Sequence, residues 1–187
     1  MRRATLCLPA LLLLVLASAC SGDDNGGKQD SGGTDSTQVC SSVALMPADS
    51  AVGDFKRENA PQVARNLTDL TALIDGGADK YTKGGKFICM ALTKYISSTK
   101  THTLELWIFD ETDQAGAQAT YDDTEHPDDT DLSPTIGDAA RGHDNTVSDS
   151  YTADFRKGRY LVRLTADKVA GKSDALELLK AVATAIK

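Results

Sequence analysis

Beyond its first nineteen residues the chain has no apolar run long enough to cross a bilayer, so no second segment reads as a membrane helix. Positive charge is scarce, with 20 Lys and Arg against 27 Asp and Glu and a net charge of −7. That balance excludes nucleic acid and anionic lipid headgroups as natural partners of the surface. No two cysteines stand as Cys-x-x-Cys, which excludes a thioredoxin-like redox motif. No Gly-x-Ser-x-Gly nucleophile elbow occurs. His102, His126 and His143 lack the paired spacing of a zinc site.

What is present begins with an address. Met1, Arg2 and Arg3 precede an apolar run through Leu6, Leu8 and Leu11 to Leu16, the pattern of a secretory signal. Arg2-Arg3 serves as an ordinary charged start. The run ends in Ala17-Ser18-Ala19-Cys20. The small residues alone would suit ordinary signal cleavage, but a cysteine directly after them resembles the bacterial lipobox. Ala17 stands where leucine is commoner, and Leu16 sits one place early. Residues 21–37 contain only Gly, Ser, Asp, Thr, Asn, Gln and Lys. Such a segment cannot bury enough surface to fold, and it suits a tether that holds a domain off a membrane. The sequence therefore predicts a lipoprotein signal peptide at 1–19, lipidation at Cys20, a disordered tether over 20–39 and one domain over 40–187. Ser21 after the cysteine favours the outer membrane, facing the periplasm or the surface, over the inner. Loss of Arg2 and Arg3 with the signal takes the net charge from −7 to about −9.

Cys7 leaves with the signal and Cys20 takes the lipid, so Cys40 and Cys89 remain as an even pair in an oxidising compartment. A disulfide between them is the expectation, and two unpaired thiols are the alternative.

Along the domain, Leu67, Leu70, Leu73 and Ile74 recur at three-and-four spacing and predict a helix that Gly76-Gly77 ends. Residues 86–97 and 102–110 read as two strands of a hairpin. Strict alternation puts Phe87, Cys89, Ala91 and Tyr95 on one face of the first strand and Ile88, Met90, Leu92 and Ile96 on the other. Residues 111–121 read as a helix, and the polar stretch 122–146, with Pro127 and Pro134, as a long surface loop. Residues 148–155 and 159–166 flank Lys157-Gly158 as a second hairpin. Ser173 is placed to cap a last helix striped by Leu176, Leu179, Val182 and Ile186. The order α-β-β-α-β-β-α predicts an α+β fold, an antiparallel sheet of about four to five strands with helices covering one face.

Leu45-Met46-Pro47, Gly53-Asp54-Phe55, Asn66-Leu67, Ile74-Asp75-Gly76-Gly77-Ala78 and Tyr81 together resemble an uncharacterised family of exported bacterial proteins. The resemblance continues through residues 104–110, 115–121, Ile136-Gly137 and 155–162 (FRKGRYLV). Asp75 stands where the family usually has Asn, and Phe55 where it has Trp. The family carries no activity, so the likeness implies a domain and an export route without chemistry.

Four features invite a function. The turn Asp75, Gly76, Gly77 could offer backbone amides to an anion, although glycines there also simply close a helix. Asp122, Asp123, Glu125, Asp128, Asp129 and Asp131 crowd one segment with hard oxygen ligands of the kind calcium takes, without the spacing or central glycine of an EF-hand. Glu105 and Asp110 flank Trp107 on one strand, an ingredient of glycosidases. Trp107 itself is a ligand platform or, more simply, sheet packing. The expectation is a lipid-anchored, non-catalytic binding or scaffolding module for an envelope protein or glycan. A carboxylate hydrolase and a calcium-binding module through residues 122–131 are its rivals.

Overall fold

The structure is a computed structural model that describes residues 39–74, 76–83 and 85–187. The expected lipidation site Cys20, the tether up to Gln38, and Asp75 lie outside the described residues.

Among the described residues the fold is α+β, built on one antiparallel sheet of eight strands with three α-helices. Chain order is β1 (Lys56–Arg57), β2 (Gln62–Ala64), α1 (Leu67–Ile74), β3 (Phe87–Ile96), β4 (Thr103–Glu111) and α2 (Gln114–Asp123). It continues with β5 (Thr130–Asp131), β6 (Ala139–Asn145), β7 (Ser150–Lys157), β8 (Tyr160–Ala166) and α3 (Lys172–Ala185). In space the strands run β1-β3-β4-β8-β7-β6-β5, and β2 shares the outer edge of β3 with β1. Both expected hairpins are present, β3–β4 and β7–β8.

The sheet is larger than four or five strands, and the element order differs, because β1 and β2 add to the edge of β3 and because residues 122–146 contain two strands instead of being one long loop. Residues 139–145 (AARGHDN) pair with β7 along their whole length, and Thr130–Asp131 add a short edge strand to them. The segment lacks apolar alternation because its inward side chains, Arg141 and His143, meet charged partners instead of hydrocarbon.

Helices cover both faces of the sheet, not one. β4 is apolar on both sides, which demands cover on both. Leu104, Leu106 and Ile108 join Val162, Leu164, Tyr151 and Phe155 in a core closed by α3 through Ala175, Leu178, Leu179 and Val182. Met46 and Phe55 from the N-terminal segment complete it. On the other side Phe109, Met90 and Leu161 are covered by Leu70 of α1, Tyr81 of a short 3-10 helix (Ala78–Tyr81) and Tyr121 of α2.

Local details also depart from strict pattern. The ladder between β3 and β4 shifts register between Phe87 and Cys89. That bulge puts Phe87 with Met90 and Leu92, not with Ala91 and Tyr95. Ser173 does not cap α3. The N-cap is Gly171, and the first-turn residue Asp174 accepts from Lys100 and lies 3.1 Å from His102 Nε2. For α2, by contrast, Asp113 is the N-cap and accepts from Gly116 N at 2.8 Å.

Candidate functional site

Cross-strand register writes a row of side chains over the face that carries α1 and α2. Leu92 pairs with Trp107, Trp107 with Arg163, Arg163 with Asp154, Asp154 with Arg141, and Arg141 with Asp131. Opposite charges on adjacent strands attract at this range. Arg163 donates through Nε to Asp154 Oδ1 at 2.7 Å and through Nη2 to Asp154 Oδ2 at 2.6 Å, a bidentate pair. Arg141 lies 3.8 Å from Asp154 and 2.9 Å from Asp129. Its guanidinium stacks 3.9 Å above the Tyr121 ring and donates to the Tyr121 carbonyl and to Thr124 Oγ1.

At the Trp107–Arg163 end the row opens into a cleft of about 220 Å³. Ile74, Gly76 and Gly77 form one wall, Lys80 and Tyr81 another, and Trp107, Arg163 and Thr124 the rest. Gly76 and Gly77 sit at φ 95° and 68°, the left-handed region, which lets the chain turn between the end of α1 at Ile74 and the start of the 3-10 helix at Ala78. Tyr81 stacks on Phe109 with ring centroids 4.3 Å apart, and Trp107 meets both rings edge-on at 6.2 Å. The aromatic wall is therefore held rigidly. Arg163 Nη1 donates to the Tyr81 hydroxyl. Burial pushes the Tyr81 hydroxyl up to about 12, so it remains a neutral O–H, while Asp154 keeps Arg163 charged despite its burial. The cleft thus unites two features that are separate in sequence, Gly76-Gly77 and Trp107.

The other candidates are dispersed. Glu105 and Asp110 stand on opposite faces, as five residues along a strand requires. Glu105 accepts from Trp107 Nε1 at 2.9 Å and pairs with Lys94 at 3.4 Å. Asp110 is buried with Arg159 at 3.0 Å and Ser41, and burial raises its carboxyl above the ordinary range. They cannot flank one sugar as a glycosidase pair does.

The acidic stretch also divides. Asp122 accepts from Gln118, Asp123 pairs with Lys83 at 3.7 Å, and Asp128 lies 3.8 Å from His126. Asp129 turns inward to Arg141 and to His143, whose Nδ1 is 2.7 Å away. Glu125 and Asp131 are exposed. Among the described residues no three His, Cys, Asp or Glu groups converge on a point where a cation could sit. Cys40 and Cys89 form a disulfide, with Cα atoms 5.9 Å apart.

Arg163, Tyr81 and Lys80 carry no site motif in the sequence. The available signal was Arg163 alone among apolar neighbours in Leu161-Val162-Arg163-Leu164, a charge that a half-buried strand carries only with a partner.

No family model matches the sequence, and no curated protein resembles it significantly. Among solved structures the chain is similar to the extracellular domain of PknH from Mycobacterium tuberculosis, at 12% identity and a TM-score of 0.40, over 79% of this chain and 92% of that one.

Proposed function

We propose that this chain is an exported, lipid-tethered envelope protein whose folded domain binds a small component of the envelope without transforming it. The observation that carries the binding role is the cleft between the Gly76–Gly77 turn and the Trp107–Arg163 pair. Its walls are preformed, and its aromatic and polar groups converge from the 3-10 helix, β4 and β8. The address rests on the charged and apolar start, on Cys20 after Ala17-Ser18-Ala19, and on residues 21–37 as a spacer. The Cys40–Cys89 bridge suits an oxidising compartment and ties the end of that spacer to β3. Ser21 favours the outer membrane as the place of anchorage. Lipid on Cys20 would hold the domain at the bilayer while its acidic surface keeps it off anionic headgroups.

Trp107 is the single tryptophan, so its emission reports on the cleft directly. Adding the low-molecular-mass fraction of an envelope extract should change that emission saturably and raise the melting temperature. An extract that changes neither would remove the binding role.

A further inference from the structure

The polar groups of the cleft can be counted against their partners. A guanidinium has five N–H donors. Four of those on Arg163 are used: Nε on Asp154 Oδ1, Nη2 on Asp154 Oδ2 and on the Thr124 carbonyl at 3.3 Å, and one Nη1 hydrogen on the Tyr81 hydroxyl. The second Nη1 hydrogen has no acceptor among the described residues. Tyr81, only 4% exposed, accepts from Arg163, and its own O–H proton has no acceptor among the described residues either. Lys80, exposed at the rim, adds an ammonium with no ion-pair partner among them. The Thr124 carbonyl is already taken by Arg163 Nη2, and the single proton of its hydroxyl is shared between the Thr120 and Tyr121 carbonyls while the hydroxyl oxygen accepts from Arg141. Glu105, the nearest carboxylate along β4, is occupied by the Trp107 indole N–H and Lys94.

Among the described residues the cleft is therefore rich in donors and poor in acceptors. Buried donors left without acceptors cost free energy, and a ligand that supplies acceptors recovers it. Two of the three donor groups are cationic and the third is a neutral phenol, so an anionic oxygen pair is the acceptor they favour most. Trp107, edge-on to Tyr81 and Phe109, supplies a flat apolar wall beside them. Resting on the proposed binding role of this same cleft, we infer that its ligand is a small ring-shaped carboxylate. The carboxylate is taken by Arg163 Nη1, the Tyr81 hydroxyl and Lys80, and the ring by Trp107. This acid-binding pocket lies in a protein of net negative charge, so selection comes from local donors and not from the overall field.

The test uses the full chain and two matched pairs of probes: galacturonate against galactose, and benzoate against benzyl alcohol. Each is titrated by Trp107 emission and checked by melting temperature. The carboxylates are expected to bind at least about tenfold tighter than their neutral partners, the scale of one charge-assisted hydrogen bond. Lys80→Gln, at an exposed position, should reduce that preference several-fold while leaving the fold intact. Tyr81→Phe keeps the ring stack and removes the hydroxyl, and it should weaken binding of the carboxylates more than binding of the neutral probes. Neutral probes that bind as tightly as the acids would overturn the ligand class and leave the binding role standing. If no probe of either kind changes emission or melting temperature, while an envelope extract does, the inference fails alone. If the extract fails too, both fall.

Discussion

Asp129 lies 2.9 Å from Arg141 Nε, and both side chains are only 6% exposed. The contact is an ion pair more than an aligned hydrogen bond, since Arg141 Nε lacks a hydrogen-bond partner. The same carboxylate takes His143 Nδ1 at 2.7 Å and the His126 backbone N–H at 2.8 Å. An acid that looks like a cation ligand in the sequence is thus an internal counter-ion, locking the 122–131 segment onto β6. Asp129→Ala leaves Arg141 buried with one anionic partner, Asp154 at 3.8 Å. It should destabilise the domain by about 3 kcal/mol in urea unfolding.

Calcium should leave the melting temperature unchanged at millimolar concentration, because Asp122, Asp123 and Asp128 point to separate partners and no three carboxylates among the described residues converge. A calcium-dependent rise in a calorimetric scan would contradict that arrangement and restore the cation-binding alternative.

The bridge between Cys40 and Cys89 spans 49 residues of sequence. Closing a loop of that length stabilises the folded state by about 4 kcal/mol in the chain-entropy description. The double variant Cys40→Ser, Cys89→Ser should lose about that much. Ser41 would also drift from Asp110 and Tyr160, which it now contacts. Melting with and without reductant measures the loss in the native chain, and an unchanged melting point under reductant would show the bridge to be idle.

Glu111 lies at the end of β4 beneath α2, 1% exposed, with Thr120 Oγ1 donating to it at 3.2 Å. Burial, outweighing that hydrogen bond, pushes its carboxyl from 4.5 up to about 7. Between those two values the folded state binds more proton than the unfolded state, so stability falls as pH rises through the window. The loss is complete above about 7. Glu111→Gln should match the native chain near pH 4 and exceed its stability by about 2–3 kcal/mol near pH 8. Equal stability of the two proteins at alkaline pH would show that Glu111 ionises freely in place.

Gly137 combines a φ of +69° with a backbone position where a Cβ would lie 2.6 Å from the Arg156 carbonyl oxygen. Both the conformation and the close approach require glycine. Gly137→Ala should cost about 2 kcal/mol or more, read as a lower urea midpoint with an unchanged slope.

Cys20→Ser should abolish palmitate labelling in growing cells. A label that persists in the variant would place the acyl chain elsewhere and remove the tether from the account.

Much of the domain is legible in sequence because the signal is local. Leu67, Leu70 and Leu73 spell α1, Gly76-Gly77 closes it, and Lys157-Gly158 turns β7 into β8. Cys40 and Cys89 are the two cysteines outside the expected signal and lipidation site, so the sequence points to a bridge between them. What stays hidden depends on partners distant along the chain. β6 has no apolar stripe, and only the arrival of Asp129 and Asp154 makes a strand of Arg141 and His143 stable. The faces of Glu105 and Asp110 follow from parity once the strand is known, but their ion partners Lys94 and Arg159 do not. Arg163 reads as an exception in an apolar run until Asp154, Tyr81 and Thr124 surround it. Residue type and period, acting over a turn of helix or a pair of strands, determine the elements, the breaks and the bridge. The tertiary structure alone decides that Arg141 and His143 form a strand against Asp129 and Asp154, and that Arg163 with its partner Asp154 brings Trp107 to Gly76-Gly77. Those outcomes depend on which buried charges find each other across the sheet, an interaction between residues that no local pattern links.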